Sequence, residues 1–255
     1  MNFDVTGRLD APAIVLSAGL GGAAAFWTPQ RAALEEHFRV VAFDQRGTGR
    51  NLDPLPDGYT IGHMADDVIE VLDAAGIEQA HFLGHAVGGL VGLDLARRYP
   101  ARLGRLVLVN SWAKVDHHTE RCFDIRIGIL QAQGVGAYVA AQPLFLHTAP
   151  YLSANHEKIL AEIAHGTAHF QGAENLLKRI GAGRAFDIRE DLAGLAAPTL
   201  VAASRDDLLV PWTASQILAE GLPAAELWVT AEGAHAFSVE KPGVFNPVLL
   251  DFLLD

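Results

Sequence analysis

Short apolar runs alternate with amphipathic segments along most of the chain. The first two runs are AIVLSAG, which ends in glycine, and FRVVAFDQRG, which ends in an aspartate and a glycine-bearing turn. Two more runs, QAHFLGHA and LGRLVLVNS, accompany the helix-like segments IGHMADDVIEVLDAAG and GGLVGLDLARRYP. Short apolar runs are typical of buried strands, and apolar residues at helical spacing predict helices. The alternation therefore predicts βαβ units and a mostly parallel sheet flanked by helices.

The pattern changes after Ser111. Residues 112–189 show helical periodicity without a strand-like run, and HHTERCFDIRIGILQAQG and AENLLKRIGAG predict helices with glycine at their ends. The alternation then resumes with PTLVAAS and AELWVT as strands and with WTASQILAEGLP and PGVFNPVLLDFLLD as helices. We predict an α/β core over residues 1–111 and 190–255, interrupted by a helical cap over residues 112–189. Such an insertion tends to lie over the strand ends, where open α/β folds bind ligands.

Composition narrows the classes of partner. The chain has 255 residues, half of them hydrophobic, and a formal net charge of −11. This charge argues against binding to nucleic acid or to anionic membrane surfaces, so a small-molecule substrate is the expected partner. The single cysteine, Cys122, excludes an intrachain disulfide, and no segment resembles a signal peptide or a membrane span. We expect a cytoplasmic protein, and a homodimer is compatible with the sequence.

A strand, a sharp turn and a helix are predicted around Gly84-His85-Ala86-Val87-Gly88. This is the context of a nucleophile elbow, in which the central residue stands at the end of a strand and small neighbours permit the turn. In many hydrolases the central residue is serine. Here Ala86 has a methyl group instead of a nucleophilic hydroxyl.

Two further segments supply acid and base. In SRDDLLVP, Asp206 and Asp207 follow a predicted strand, and in EGAHAFSVEKP, His235 follows the next strand. The order of nucleophile position, acid and histidine is the chain order of α/β-hydrolase triads. A carboxylate on one imidazole nitrogen fixes the tautomer of the histidine, and either aspartate is a candidate for this role.

Glycines in LSAGLGGAAAFW follow the first predicted strand and allow backbone N–H groups to point into a site. The N–H groups of Leu20 and Val87 are the candidate oxyanion donors, the latter at a helix N-terminus. Each segment alone is a weak signal. Their joint occurrence in the right order predicts the α/β-hydrolase fold.

The chain resembles the α/β-hydrolase fold family and, within it, the aminohydrolase family of the Rut pathway of pyrimidine degradation. The segments that carry the resemblance are FDQRGTGRN, LGHAVGGLVGLDLA, RCFDIR, AQPLFL, AHFQGAENLLKRI, SRDDLLVP and FNPVLLDFLL. The resemblance implies hydrolysis of a small C–N compound released from uracil, either carbamate or 3-aminoacrylate. It also favours Asp207 over Asp206, because Asp207 lies four residues before Pro211, the offset expected in the family.

The hypothesis from the sequence is proton transfer by His235, oriented by Asp207, without a covalent intermediate. Three alternatives remain open. The protein is an ester or lactone hydrolase whose serine is replaced by Ala86, a non-catalytic binder of a small ligand, or a cofactor-free lyase.

Candidate substrate contacts in the cap are Arg121, Arg126, Gln142 and His169, because an anionic substrate favours a cation or an amide. His165 and His169 stand four residues apart on a predicted helix but lack the acidic partner of an H-E-x-x-H zinc site. The sequence contains no phosphate-binding loop and no dinucleotide fingerprint. We therefore expect neither a metal nor a cofactor.

Overall fold

Seven strands form one sheet in this computed structural model, which describes all 255 residues. The strands are β1 (Phe3–Gly7), β2 (Ala13–Ser17), β3 (Arg39–Phe43), β4 (Ala80–His85), β5 (Leu103–Val109), β6 (Thr199–Ser204) and β7 (Ala225–Thr230). Their spatial order is β1-β3-β2-β4-β5-β6-β7. The strands from β2 to β7 are all parallel to one another. The predicted fold class, an α/β-hydrolase fold with a mostly parallel sheet, is confirmed.

Strand β1 is absent from the sequence prediction. It pairs antiparallel with β3, with Phe3 opposite Phe43 and Gly7 opposite Arg39. Its sequence, FDVTG, alternates in polarity and is only half-buried, as edge strands commonly are. The central strands β2 and β6 are buried at every position, because helices cover both faces of a parallel sheet.

Ten α-helices accompany the sheet. They are α1 (Thr28–Glu35), α2 (Ile61–Ala74), α3 (Val87–Arg98), α4 (His117–Leu146), α5 (Ala149–Ala154), α6 (His156–Ala168), α7 (Ala173–Ala185), α8 (Trp212–Gly221), α9 (Phe237–Glu240) and α10 (Pro242–Leu254). Two apolar clusters fill the space between the sheet and these helices on its two faces. None of the helices has the length and hydrophobicity needed to cross a membrane.

Helices α4 to α7 all follow β5 and precede β6 in the chain, although these two strands are neighbours in the sheet. The chain leaves and re-enters the core where Lys114 and Asp187 form an isolated β-bridge and a salt bridge of 3.3 Å. Helix α4 breaks at Gly134, which has a φ of 82°, so the predicted glycine end is a kink between two helical halves. We call the segment 117–185 the inserted helices. Its status as a separate cap domain stays a prediction.

Candidate active site

The turn between β4 and α3 has the geometry of a nucleophile elbow with alanine at its tip. Ala86 has a φ of 49° and a ψ of −113°, a strained conformation for a residue with a Cβ atom. Its N–H donates to the Val109 carbonyl at 2.8 Å, and its carbonyl accepts from the Ser111 hydroxyl at 3.0 Å. A Cβ atom on Gly88 would lie 2.3 Å from the Ser17 carbonyl oxygen, so this close approach requires glycine. The elbow therefore holds the Ala86 methyl group at the end of the sheet.

Asp207 and His235 are in direct contact. His235 Nδ1 lies 2.7 Å from Asp207 Oδ2, and the side chains are 3% and 0% exposed. The other carboxylate oxygen, Oδ1, accepts from the backbone N–H groups of Leu209 at 2.7 Å and Val210 at 2.9 Å. Because a carboxylate accepts hydrogen bonds and does not donate them, Nδ1 of His235 carries the hydrogen of this contact. Nε2 is then the basic nitrogen, and it makes no hydrogen bond within the protein.

The backbone of His235 is fixed from the opposite side. Its carbonyl accepts from Asn110 Nδ2 at 2.8 Å and from His85 Nε2 at 2.9 Å. Because a carbonyl only accepts, His85 carries its hydrogen on Nε2, and its buried Nδ1 has no partner. Burial, with a smaller contribution from His235, holds the pKa of His85 well below its usual range. The ring of Phe26 stacks on His85 at 4.4 Å between centroids.

Asp206, the other candidate acid, makes no hydrogen bond to the imidazole of His235. It accepts from the Ser204 hydroxyl at 2.6 Å and from the N–H groups of Gly233 at 3.2 Å and Ala234 at 2.8 Å. Burial raises its pKa, but these hydrogen bonds outweigh burial, so the pKa of Asp206 is lowered. Asp206 thus fixes the loop that precedes His235, and Asp207 is the residue that contacts the ring.

The two candidate oxyanion donors border the same cavity as His235. The Val87 N–H is the first of helix α3, where N–H groups have no partner within the helix. The Leu20 N–H makes no hydrogen bond, whereas the Gly19 carbonyl of the same peptide accepts from Arg179 Nη2 at 3.3 Å. A trans peptide directs its carbonyl and N–H to opposite sides, so the Leu20 N–H points away from Arg179.

The cavity has a volume of about 470 Å³ and lies between the strand ends and the inserted helices. On one side, which we call the core wall, it is lined by Leu20, His85, Ala86, Val87 and His235. On the other, the cap wall, it is lined by Phe123, Arg126, Tyr138, Gln142, His165 and His169. The nucleophile position, the basic nitrogen and the oxyanion donors therefore share one wall of one cavity.

Comparison with known proteins identifies the family. Residues 12–164 match the family described as alpha/beta hydrolase fold. The chain belongs to the α/β-hydrolase fold family. It is 53% identical to "Putative carbamate hydrolase RutD" of Agrobacterium fabrum, over all of this chain and 98% of that protein. It is 52% identical to the protein of the same name from Variovorax paradoxus, over 99% of this chain and 96% of that protein.

Solved structures of other α/β-hydrolases superpose closely on this one. An enol-lactonase from Burkholderia xenovorans gives a TM-score of 0.90 at 29% identity, over 100% of this chain and 96% of that chain. A hydrolase from Pseudomonas aeruginosa gives 0.88 at 30% identity, over 98% and 93%. Fold, family and the names of the relatives together support a hydrolase.

The structure separates the four predicted contacts of the cap. Arg126 is buried at the cap wall, Gln142 is half-buried there, and His169 is exposed at its edge. The prediction for Arg121 is corrected, because this side chain is exposed and does not line the cavity. Arg121 and Arg126 are five residues apart on α4, a rotation of about 140°, so they cannot share one face of the helix.

His165 and His169 stack at 4.2 Å between ring centroids, and His169 Nδ1 lies 3.0 Å from the His165 carbonyl oxygen. No group of three or more histidine, cysteine, aspartate or glutamate side chains is arranged to bind a metal ion.

Three residues that shape the site are missing from the sequence prediction: His85, Asn110 and Arg179. Asn110 directly follows β5, and a polar residue at a strand end is a signal that the sequence does contain. Arg179 lies on α7 in the inserted helices, and its donors reach Gly19, Leu20, Gln45 and Arg46 of the core. Nothing in the sequence marks this arginine as buried.

Proposed function

We propose that this α/β-hydrolase cleaves the C–N bond of a small product of uracil degradation, either carbamate or 3-aminoacrylate, without a covalent intermediate. The observation that carries the proposal is a buried Asp207–His235 pair at 2.7 Å beside a methyl group at position 86. Proton transfer remains possible at such a site, whereas attack by a side-chain hydroxyl does not. The names of the relatives, which refer to carbamate, support the same chemistry.

For 3-aminoacrylate, water adds to C3 of the iminium tautomer. His235 Nε2 takes a proton from the attacking water, so a neutral carbinolamine forms; the N–H groups of Leu20 and Val87 stabilise the negative charge that develops on its oxygen when the hydroxyl proton is later removed. The protonated imidazole then returns this proton to nitrogen. As the C–N bond breaks with its electron pair going to nitrogen, the imidazole takes the hydroxyl proton, and malonate semialdehyde and ammonia leave. One water is consumed, and no group remains on the protein.

For carbamate, protonated His235 delivers its proton to nitrogen while the same N–H groups hold the carboxylate. The C–N bond then breaks with its electron pair going to nitrogen, and ammonia and carbon dioxide leave. General acid–base catalysis contributes about 10²–10⁴-fold in rate. Such an acceleration is sufficient for substrates that already decompose without a catalyst.

The test follows ammonia release from fresh carbamate and from enzymatically generated 3-aminoacrylate. We expect His235→Ala to remove about 10²–10⁴-fold of the rate enhancement. His117→Ala is the matched control, since the His117 side chain is fully exposed, and it should retain the wild-type rate. Equal rates for wild type and His235→Ala on both substrates would refute the proposal.

A second candidate is an ester or lactone hydrolase in which Ala86 replaces the nucleophilic serine. Two observations favour it: Ala86 keeps the strained elbow conformation, and the cavity of about 470 Å³ exceeds the volume of carbamate or 3-aminoacrylate. Ala86→Ser tests it with 4-nitrophenyl acetate. A new esterase activity that also forms a covalent adduct with an organophosphate supports this candidate, and an inactive variant that binds no inhibitor excludes it.

A further inference from the structure

Arg126 is the one permanently charged residue among those that line the cavity. The lining contains no lysine, aspartate or glutamate, although the whole chain has a net charge of −11. The residue is only 4% exposed, and its guanidinium carbon lies 5.7–5.8 Å from the ring centroids of Phe123, Tyr138 and Phe145. Burying a charge costs free energy unless the charge is paired. The hydrogen-bond partners of Arg126 therefore indicate whether the protein or a ligand neutralises its charge.

Neutral oxygen atoms are the only partners of this guanidinium. Gln142 Oε1 accepts from Nε at 2.8 Å and also from Nη2, and the Tyr138 hydroxyl lies 3.3 Å from Nη2. Nη1 is buried and has no partner at all. The Gln142 amide is oriented by its own bond to the Tyr138 carbonyl at 2.7 Å, so its oxygen faces the arginine. The protein thus positions the guanidinium without neutralising its charge.

Most other arginines of the chain pair with carboxylates. Arg46, Arg50, Arg97, Arg98, Arg102 and Arg184 each form a salt bridge. Arg179 is equally buried but distributes its donors over three backbone carbonyls and Gln45. Arg126 alone combines burial, an unpaired nitrogen, the absence of a carboxylate and a place at the cavity.

We propose that Arg126 binds the carboxylate of the substrate at the cap wall, apart from the oxyanion donors of the core wall. A guanidinium matches a carboxylate by two parallel hydrogen bonds, and the bound anion supplies the missing charge. This inference rests on the proposed function for the reaction at the core wall. It defines the substrate class as small carboxylates whose carboxylate is not the reacting group. Of the two substrates above, 3-aminoacrylate has such a carboxylate and carbamate does not.

The first experiment measures binding of propionate, an unreactive three-carbon carboxylate, by isothermal titration calorimetry. We expect Arg126→Met to raise the dissociation constant at least about tenfold, because a charge-assisted hydrogen bond is lost. Arg121→Met, an exposed arginine on the same helix, is the matched control and should bind propionate as the wild type does. Propionamide, which lacks the charge, should bind both variants and the wild type equally weakly. The proposal is overturned if propionate does not bind the wild type, or if Arg126→Met binds it equally well.

A second variant guards against misfolding of Arg126→Met. Gln142→Glu places a carboxylate of the protein itself against the Arg126 guanidinium. The two groups form an internal ion pair, so the fold should be retained. We expect this variant also to lose at least about tenfold in propionate affinity, since the internal carboxylate competes for Arg126. Unchanged affinity in a folded Gln142→Glu protein contradicts the assignment.

Failure of this inference is distinguishable from failure of the proposed function. His235→Ala should bind propionate with the wild-type affinity, because the imidazole belongs to the other wall. If neither C–N substrate is turned over but propionate binding depends on Arg126, the carboxylate site stands and the reaction must be sought among other carboxylates. If turnover depends on His235 but Arg126→Met binds propionate as the wild type does, the proposed reaction is supported and the proposed carboxylate site is wrong.

Discussion

The two walls of the cavity are built in different ways. On the core wall, every one of these contacts involves the backbone: the Val109 carbonyl and the Leu209 N–H fix Ala86 and Asp207, and the Asn110 side chain holds the His235 carbonyl. On the cap wall, side chains on helices hold one another, and Arg126 retains an unpartnered nitrogen. Groups that transfer protons need one fixed geometry, and strand ends provide it. Groups that bind a ligand remain incompletely paired until the ligand arrives. This difference supports our two proposals, in which the core wall carries out the reaction and the cap wall selects the substrate.

The largest effect is expected where the core wall depends on a single contact. In Asp207→Asn, the N–H groups of Leu209 and Val210 retain the amide oxygen, so the amide nitrogen faces His235. It then donates to Nδ1 and forces the ring hydrogen onto Nε2, which can no longer accept a proton from water. We expect the rate enhancement in ammonia release to fall by about 100-fold or more.

Asp206→Asn is the matched control for this variant. Asp206 contacts the loop before His235 and not the ring, so we expect a loss below about tenfold in the same assay. A larger loss for Asp206→Asn than for Asp207→Asn would show that Asp206, and not Asp207, orients the imidazole.

Arg179 connects the inserted helices to the core, and we expect its replacement to lower the free energy of unfolding. It extends from α7 to the Gly19, Leu20 and Arg46 carbonyls of the core, at 3.2–3.4 Å. Burial lowers the pKa of Arg179 to about 10, so the guanidinium is still charged at neutral pH. Arg179→Met removes these hydrogen bonds and leaves the Arg46 carbonyl and Gln45 Oε1 without a donor, and we expect the free energy of unfolding to fall by about 2–4 kcal/mol. Urea denaturation measures this fall, with the exposed Arg121→Met as a control that should match the wild type. A wild-type midpoint for Arg179→Met would show that the inserted helices do not depend on this contact.

The core wall could be predicted from the sequence because its residues follow strands. A strand of five or six apolar residues ends at a recognisable place, so the position of Asp207, His235 and the elbow follows from the chain order. What the sequence left open, Asp206 against Asp207, depends on which carboxylate meets the ring, and only the contact at 2.7 Å decides it.

The cap wall could not be predicted in the same way. Whether Arg121 or Arg126 faces the cavity depends on the rotation of α4 about its axis, and the break at Gly134 sets how the two halves of that helix meet. Helical periodicity identifies an apolar face but does not identify a buried cation on it. For the same reason the sequence gives no sign of Arg179, whose partners are carbonyls more than 130 residues away.

The smallest expected effect concerns His85, which is neutral on the core wall, whereas Arg126 on the cap wall is charged. It is a change in how folding stability depends on pH. Burial holds the pKa of His85 well below its usual range, so His85 stays neutral in the folded core wall. In the unfolded chain a histidine takes up a proton below about pH 6.5. The unfolded state therefore binds more protons as the pH falls from about 7 to 5, and folding stability decreases in this window.

His85→Gln should make this decrease shallower, because glutamine keeps a donor for the His235 carbonyl but does not titrate. Urea denaturation at several pH values measures the slope, and His117→Gln, at an exposed position, should leave the slope unchanged. Part of the slope should remain in His85→Gln, since burial also lowers the pKa of His81. If the slope of His85→Gln equals that of the wild type, His85 is not held neutral by the fold. A cationic His85 on the core wall would then attract an anion at low pH in addition to Arg126 on the cap wall.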